Sequence, residues 1–258
     1  MLYLFSMLIL LVGSANAYAE LHTETVEYRH GDTLLEGYLA YDDEIKGVRP
    51  AVLVVHDWLG VGTFVKKRTE ALAKLGYIAF AIDMYGKGIR PQSSDEAAAQ
   101  AGIYRKDRQL MRARANAGLE LLKKHKLTDV RRIAAIGYCF GGGTVLELTR
   151  SGADLAGAIS FHGNLDTPNP DDAKNIKAKV LVLHGGDDPF VPPDQVAAFQ
   201  KEMRNAGVDW QMLTYGGAVH GFTNPAAGSD NSKGAAYNEK ADIRSWEAMR
   251  QFFSEIFK

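Results

Sequence analysis

The chain has 258 residues, 46% of them hydrophobic and 24% charged, with a formal net charge of −1. This is ordinary globular usage and leaves no room for disordered, collagen-like or low-complexity architectures. The near-zero charge offers no electrostatic footprint for nucleic acid. A single cysteine excludes both an intrachain disulfide and a multi-cysteine zinc site.

Residues 1 to 12 read MLYLFSMLILLV, an apolar run too short to span a bilayer as a helix. The small-x-small triplet Ala15-Asn16-Ala17 follows it, the pattern of a signal-peptidase site. No Lys or Arg precedes the run. The reading is a signal peptide over 1–17, with Ala17-Tyr18-Ala19 as the alternative cut. The expected product is one exported, periplasmic or secreted domain over 18–258. No other apolar stretch is long enough to cross a membrane.

Residues 24 to 30 and 33 to 41 alternate apolar and polar around His30-Gly31-Asp32, which predicts an antiparallel hairpin. Five continuous apolar runs come next, at 51–55, 78–82, 133–136, 156–161 and 180–183. Strands apolar on both faces belong to a parallel sheet covered by helices. Helical periodicity fills the gaps at about 64–75, 95–126, 141–150, 193–206 and 236–257, and a last strand is expected at 209–215. This alternation predicts an α/β fold with a mostly parallel central sheet, an N-terminal antiparallel hairpin and helices on both faces. The charged segment from Tyr104 to Lys126 reads as the solvated face of a long helix.

In such sheets ligands bind beyond the carboxyl ends of the strands. After the third apolar run comes Gly137-Tyr138-Cys139-Phe140-Gly141-Gly142-Gly143, opening a helix. This is the G-x-S-x-G nucleophile elbow with Cys in place of Ser. The glycines permit a turn too tight for side chains. The turn lifts the thiol clear of the sheet and leaves backbone N–H groups free at a helix N-terminus, where they favour a thiolate and a developing oxyanion. Asp188, after the buried strand at 180–183, is the candidate carboxylate, with Asp187 as competitor. His220, before the final helix, is the candidate base. The order Cys139, Asp188, His220 is the nucleophile–acid–base order of the α/β-hydrolase fold. His56, His162 and His184 also end strands. No two share ligand spacing on one element, so no metal site is expected.

These residues resemble the dienelactone hydrolase family. The resemblance rests on Val54-Val55-His56-Asp57-Trp58-Leu59-Gly60, Asp83-Met84-Tyr85, the Cys139 elbow, Asp188-Pro189-Phe190-Val191-Pro192 and His220-Gly221-Phe222. It implies a cofactor-free hydrolase that cleaves small-molecule esters or lactones through an acyl-thiol intermediate. It also implies oxyanion donors at the backbone N–H groups of Phe140 and Trp58. Asp57 stands where the founding enzyme has a thiol-contacting Glu. Lys87 and Asn224 stand where that enzyme has two substrate-binding arginines. The expected substrate pocket comprises Tyr85, Lys87, Tyr138, His162 and Phe222. The alternatives are a thioesterase or acyltransferase of the same fold, or a ligand-binding protein on a hydrolase scaffold. A thiol redox protein fits less well, because no resolving Cys is present. Sequence does not read out the oligomeric state.

Overall fold

The computed structural model describes residues 21–258. The expected leader peptide and its cleavage sites lie outside the described residues. The hairpin pairs β1 (Leu21–His30) with β2 (Thr33–Asp42), antiparallel in register from Leu21–Asp42 to His30–Thr33. The remaining strands are β3 (Arg49–Val55), β4 (Ile78–Ile82), β5 (Thr128–Tyr138), β6 (Gly157–Phe161), β7 (Lys179–Gly185) and β8 (Trp210–Tyr215). They form one eight-stranded sheet in the order β1-β2-β4-β3-β5-β6-β7-β8. β2 meets β4 antiparallel, and every pairing beyond it is parallel.

Alternate residues of each strand serve opposite faces, as the two-residue period of a strand requires. Leu53 and Val55 pack toward α2 (Ser94–Lys106), α3 (Arg108–Lys124) and α4 (Phe140–Arg150). Val52 and Val54 pack toward α1 (Thr63–Lys74) and α6 (Glu239–Ile256). α5 (Pro193–Ala206) lies on the α4 side, where Phe199 and Met203 meet Val180, Val182 and Leu146. The expected helix over 95–126 is two helices. Asp107 leaves helical geometry at ψ 88°, and its carboxylate accepts the Leu110 N–H at 2.9 Å. An N-cap of this kind starts a new helix rather than extending the old one.

The strand order puts the site in place. β3 connects forward to β4 on one side, while β5 flanks β3 on the other, so the chain direction switches across the β3–β5 pair. Crevices open at such switch points beyond the carboxyl ends of the strands. Here they bring residues 56–59 beside Cys139.

Candidate active site

Gly137 and Gly141 make the turn at the end of β5 possible. A Cβ on Gly137 would stand 2.0 Å from the Gly141 carbonyl oxygen, and one on Gly141 would stand 2.3 Å from that of Val55. Only glycine allows β5, α4 and β3 to approach this closely. Between them Cys139 is held at φ 54° and ψ −116°, a conformation rare for any side chain except glycine's. Its carbonyl accepts the N–H groups of Gly142 at 2.9 Å and Gly143 at 3.3 Å, so Cys139 caps α4 and its sulfur stands at the helix N-terminus. The dipole there favours negative charge.

A hydrogen-bond relay joins three loops. Cys139 Sγ lies 2.9 Å from His220 Nε2, and His220 Nδ1 lies 2.8 Å from Asp188 Oδ2. The other Asp188 oxygen accepts the Phe190 N–H at 2.8 Å. Both Asp188 and His220 are buried. Asp187, the competing carboxylate, is exposed, and its N–H donates to the Ala218 carbonyl, which folds the turn that carries Asp188. Burial pushes the His220 imidazole toward the neutral form. Coulombic and hydrogen-bond interactions with Cys139 and Asp188, facing its two nitrogens, outweigh that push and raise its pKa. Among the described residues, neither the Phe140 nor the Trp58 N–H has a backbone acceptor.

The thiol opens into a cavity of about 630 Å³, a size suited to small molecules. The cavity is lined by Trp58, Leu59 and Phe64 after β3, by Phe190 and His220, and by residues between Gly221 and Ala235. His162 lines this cavity. It too has a positive φ, 39°, and its Nε2 is 2.8 Å from the Thr223 hydroxyl. Its ring stands edge-on to that of His220, 5.3 Å between centroids.

Four expected pocket residues lie elsewhere, for distinct reasons. Tyr138 is fully buried because, as the last residue of β5, it points to the α1–α6 face, where it packs on Phe64 and Phe161. Phe222 is buried between His162 and Tyr215 and supports the cavity from behind. Tyr85 is buried too, its hydroxyl donating to the Trp58 carbonyl at 3.0 Å. Lys87 pairs with Glu27 of β1, at the surface and away from the cavity. The thiol-poising role for Asp57 also needs correction. It lines the cavity, but its carboxylate accepts the Leu59 N–H at 2.8 Å in a local turn and makes no hydrogen bond to the sulfur. A carboxylate one methylene shorter than Glu is captured by its own backbone.

Sequence reasoning missed other cavity residues. Phe190 is half exposed and sets its ring edge-on to His220 at 5.4 Å. Its place two residues after Asp188 was the available signal. Arg105 comes from the segment read as a solvated helix face. It lines the cavity and donates to Asn164 Oδ1 at 3.2 Å. Lys233 lines the cavity as well, and so does Asn224, which the resemblance places at a substrate-binding position. His56 and His184 stay outside the cavity lining. Among the described residues no group of three or more His, Cys, Asp or Glu is placed to hold a metal ion, and no helix is long and apolar enough to cross a membrane.

A mostly parallel eight-stranded sheet with a strained elbow after β5 defines an α/β-hydrolase. The dienelactone hydrolase family model matches residues 35–257, and the chain belongs to that family. It is a hydrolase of the ester and lactone type. Among solved structures, it is similar to one titled "m3DLH", with TM-score 0.89 and 39% identity over 92% of this chain and 99% of that one. It is equally similar to a dienelactone hydrolase-like promiscuous phosphotriesterase, P91, from metagenomic libraries. There the TM-score is 0.88 and the identity 40%, again over 92% and 99% of the two chains. A protein of Aquifex aeolicus named "Putative carboxymethylenebutenolidase" is 26% identical over 239 residues, 91% of this chain and 99% of its own.

Proposed function

We propose that the protein hydrolyses small-molecule esters or lactones through a covalent thioester on Cys139. The observation that carries this reading is the relay Asp188–His220–Cys139, ending at the cavity with both imidazole nitrogens engaged. Asp188 holds the His220 Nδ1 proton, so Nε2 faces the sulfur. His220 takes the thiol proton, and the thiolate attacks the carbonyl carbon. The oxyanion is received by the N–H groups of Phe140 and Trp58. Collapse expels the alcohol, which takes a proton from the imidazolium, and leaves the acyl group on sulfur. Water, deprotonated by His220, then attacks the thioester and releases the acid and the thiol.

Arg105 and Lys233 in the cavity lining favour substrates that carry a negative charge. The test is hydrolysis of a panel of small neutral and carboxylate-bearing esters and lactones, dienelactone among them, by the mature chain and by Cys139→Ala. Turnover that disappears in the variant is the expected result, whereas turnover that survives in it overturns the thiol mechanism. Paraoxon belongs in the panel because a relative 40% identical is titled a promiscuous phosphotriesterase. The pattern of residues 1–17 supports an exported mature protein, and N-terminal sequencing of chain recovered from outside the cytoplasm tests it.

A further inference from the structure

His56 is fully buried at the end of β3 and takes no part in the Cys139–His220–Asp188 relay. Both of its ring nitrogens are nevertheless engaged. The Met84 N–H donates to Nε2 at 3.2 Å, so Nε2 is unprotonated and the ring proton sits on Nδ1. Nδ1–H in turn donates to the Asp57 carbonyl. Burial depresses the ring's pKa to about 4, so this neutral tautomer persists through the neutral range.

The acceptor is the informative atom. The Asp57 oxygen and the Trp58 N–H belong to one peptide unit. No described peptide is cis, so the C=O and N–H of that unit point in opposite directions. With the carbonyl turned inward onto His56, the N–H is aimed outward, toward the cavity that Trp58 and Cys139 line. Two further contacts hold the same loop: Tyr85 Oη to the Trp58 carbonyl at 3.0 Å, and the Leu59 N–H to Asp57 Oδ1 at 2.8 Å. The His56 ring also packs against both Tyr85, at 4.8 Å, and Phe140, at 6.0 Å. One buried imidazole therefore bonds the peptide that carries the Trp58 N–H and packs on the Phe140 ring, the two residues read as oxyanion donors.

We infer that His56 is a positioning residue whose Nδ1–H pins the Asp57–Trp58 peptide so that the Trp58 N–H is pre-aimed at the oxyanion. This rests on the reading of Cys139 as nucleophile and Trp58 N–H as oxyanion donor. A free loop would have to reorient that peptide in every turnover, while a pinned one has paid the orientation cost on folding.

The test uses two reactions of one thiol. Hydrolysis of p-nitrophenyl acetate passes through a tetrahedral oxyanion, whereas alkylation of Cys139 by iodoacetamide displaces iodide and forms none. In His56→Phe, kcat/KM for the ester falls by about 10²-fold, the loss typical of one oxyanion donor. The iodoacetamide rate and its pH profile stay at the wild-type level. His56→Gln, whose amide can both accept from Met84 and donate to Asp57, recovers most of the loss. His56→Met, with no donor, replaces the Phe variant if that chain does not fold. Ester turnover unchanged in the donor-free variant overturns the inference, and so does a parallel fall in both reactions, which marks a merely structural role. Cys139→Ala is run beside them. Ester turnover surviving in Cys139→Ala overturns the underlying thiol reading, whereas loss there with none in His56→Phe overturns only the role of His56.

Discussion

The two ends of α4 bury polar chemistry in opposite ways. At its C-terminal end, Arg150 is 1% exposed and every arm of its guanidinium is met. Nε and Nη2 form a bidentate pair with Glu202 at 2.7 and 2.8 Å. Nη1 reaches Glu147 at 3.0 Å, and Nη2 also reaches the Leu165 carbonyl at 3.1 Å. Glu147 is shared in turn with Arg112. At the N-terminal end, Cys139 is strained, its imidazole partner is pulled toward the charged form, and two N–H groups lack a backbone acceptor. Buried charge that is saturated holds helices in place. On the proposed thiol mechanism, the unmet donors beside Cys139 are a site kept ready for charge that appears only during reaction.

This contrast can be broken at either end. The largest effect is expected from Cys139→Ser, which should lower kcat/KM on a turned-over ester by at least ~10³-fold while leaving the melting temperature close to wild type. Comparable turnover would show that the hydroxyl serves as well in a site shaped for a thiolate. Arg150→Met should do the reverse. It strands Glu202 without its cation and should cost about 3–5 kcal/mol of stability, read by urea unfolding, with kcat preserved in the folded fraction. A loss of activity without a loss of stability would mean that the two ends of α4 are coupled.

A smaller effect concerns pH. His56 and His162 are held below their ordinary value by burial, so the unfolded chain takes up their protons first as pH falls. Stability should therefore decline from pH 6.5 toward about 4, by about 1.4 kcal/mol per pH unit for each such group. His56→Gln should make that slope shallower in thermal melts across the range, and an unchanged slope would show that His56 does not contribute. His220 runs the other way. Its raised pKa gives a contribution fully present below 6.5 and lost as pH climbs through the raised value. The smallest effect is expected from Lys87→Met: it pairs with Glu27 at the surface and does not line the cavity, so KM for a carboxylate-bearing ester should not move. A rise in KM would restore Lys87 to the substrate site.

The elbow and the relay were legible in sequence because each depends on a short local pattern. Gly-x-Cys-x-Gly follows a buried strand, and Asp188 and His220 lie in the loops after β7 and β8, which the parallel sheet delivers to one edge. The walls were less legible. Tyr138 and Phe222 flank the elbow and the base in sequence, yet both point into the α1–α6 face. Arg105 looked like one charge among many until the break at Asp107 set α2 apart from α3 and placed its last turn over the cavity.

By itself the sequence determined the α/β architecture, the tight turn that exposes a cysteine, and the order of the three residues that meet there. Hydrophobic runs, glycine spacing and strand–helix alternation are properties of contiguous segments and survive without knowledge of the fold. Tertiary structure alone decided which aromatic rings face the cavity, that Asp57 braces its own turn, and that His56 turns a peptide toward the thiol. Those outcomes depend on side-chain direction and on contacts between residues far apart in the chain, as with Met84 on His56 and Glu27 on Lys87.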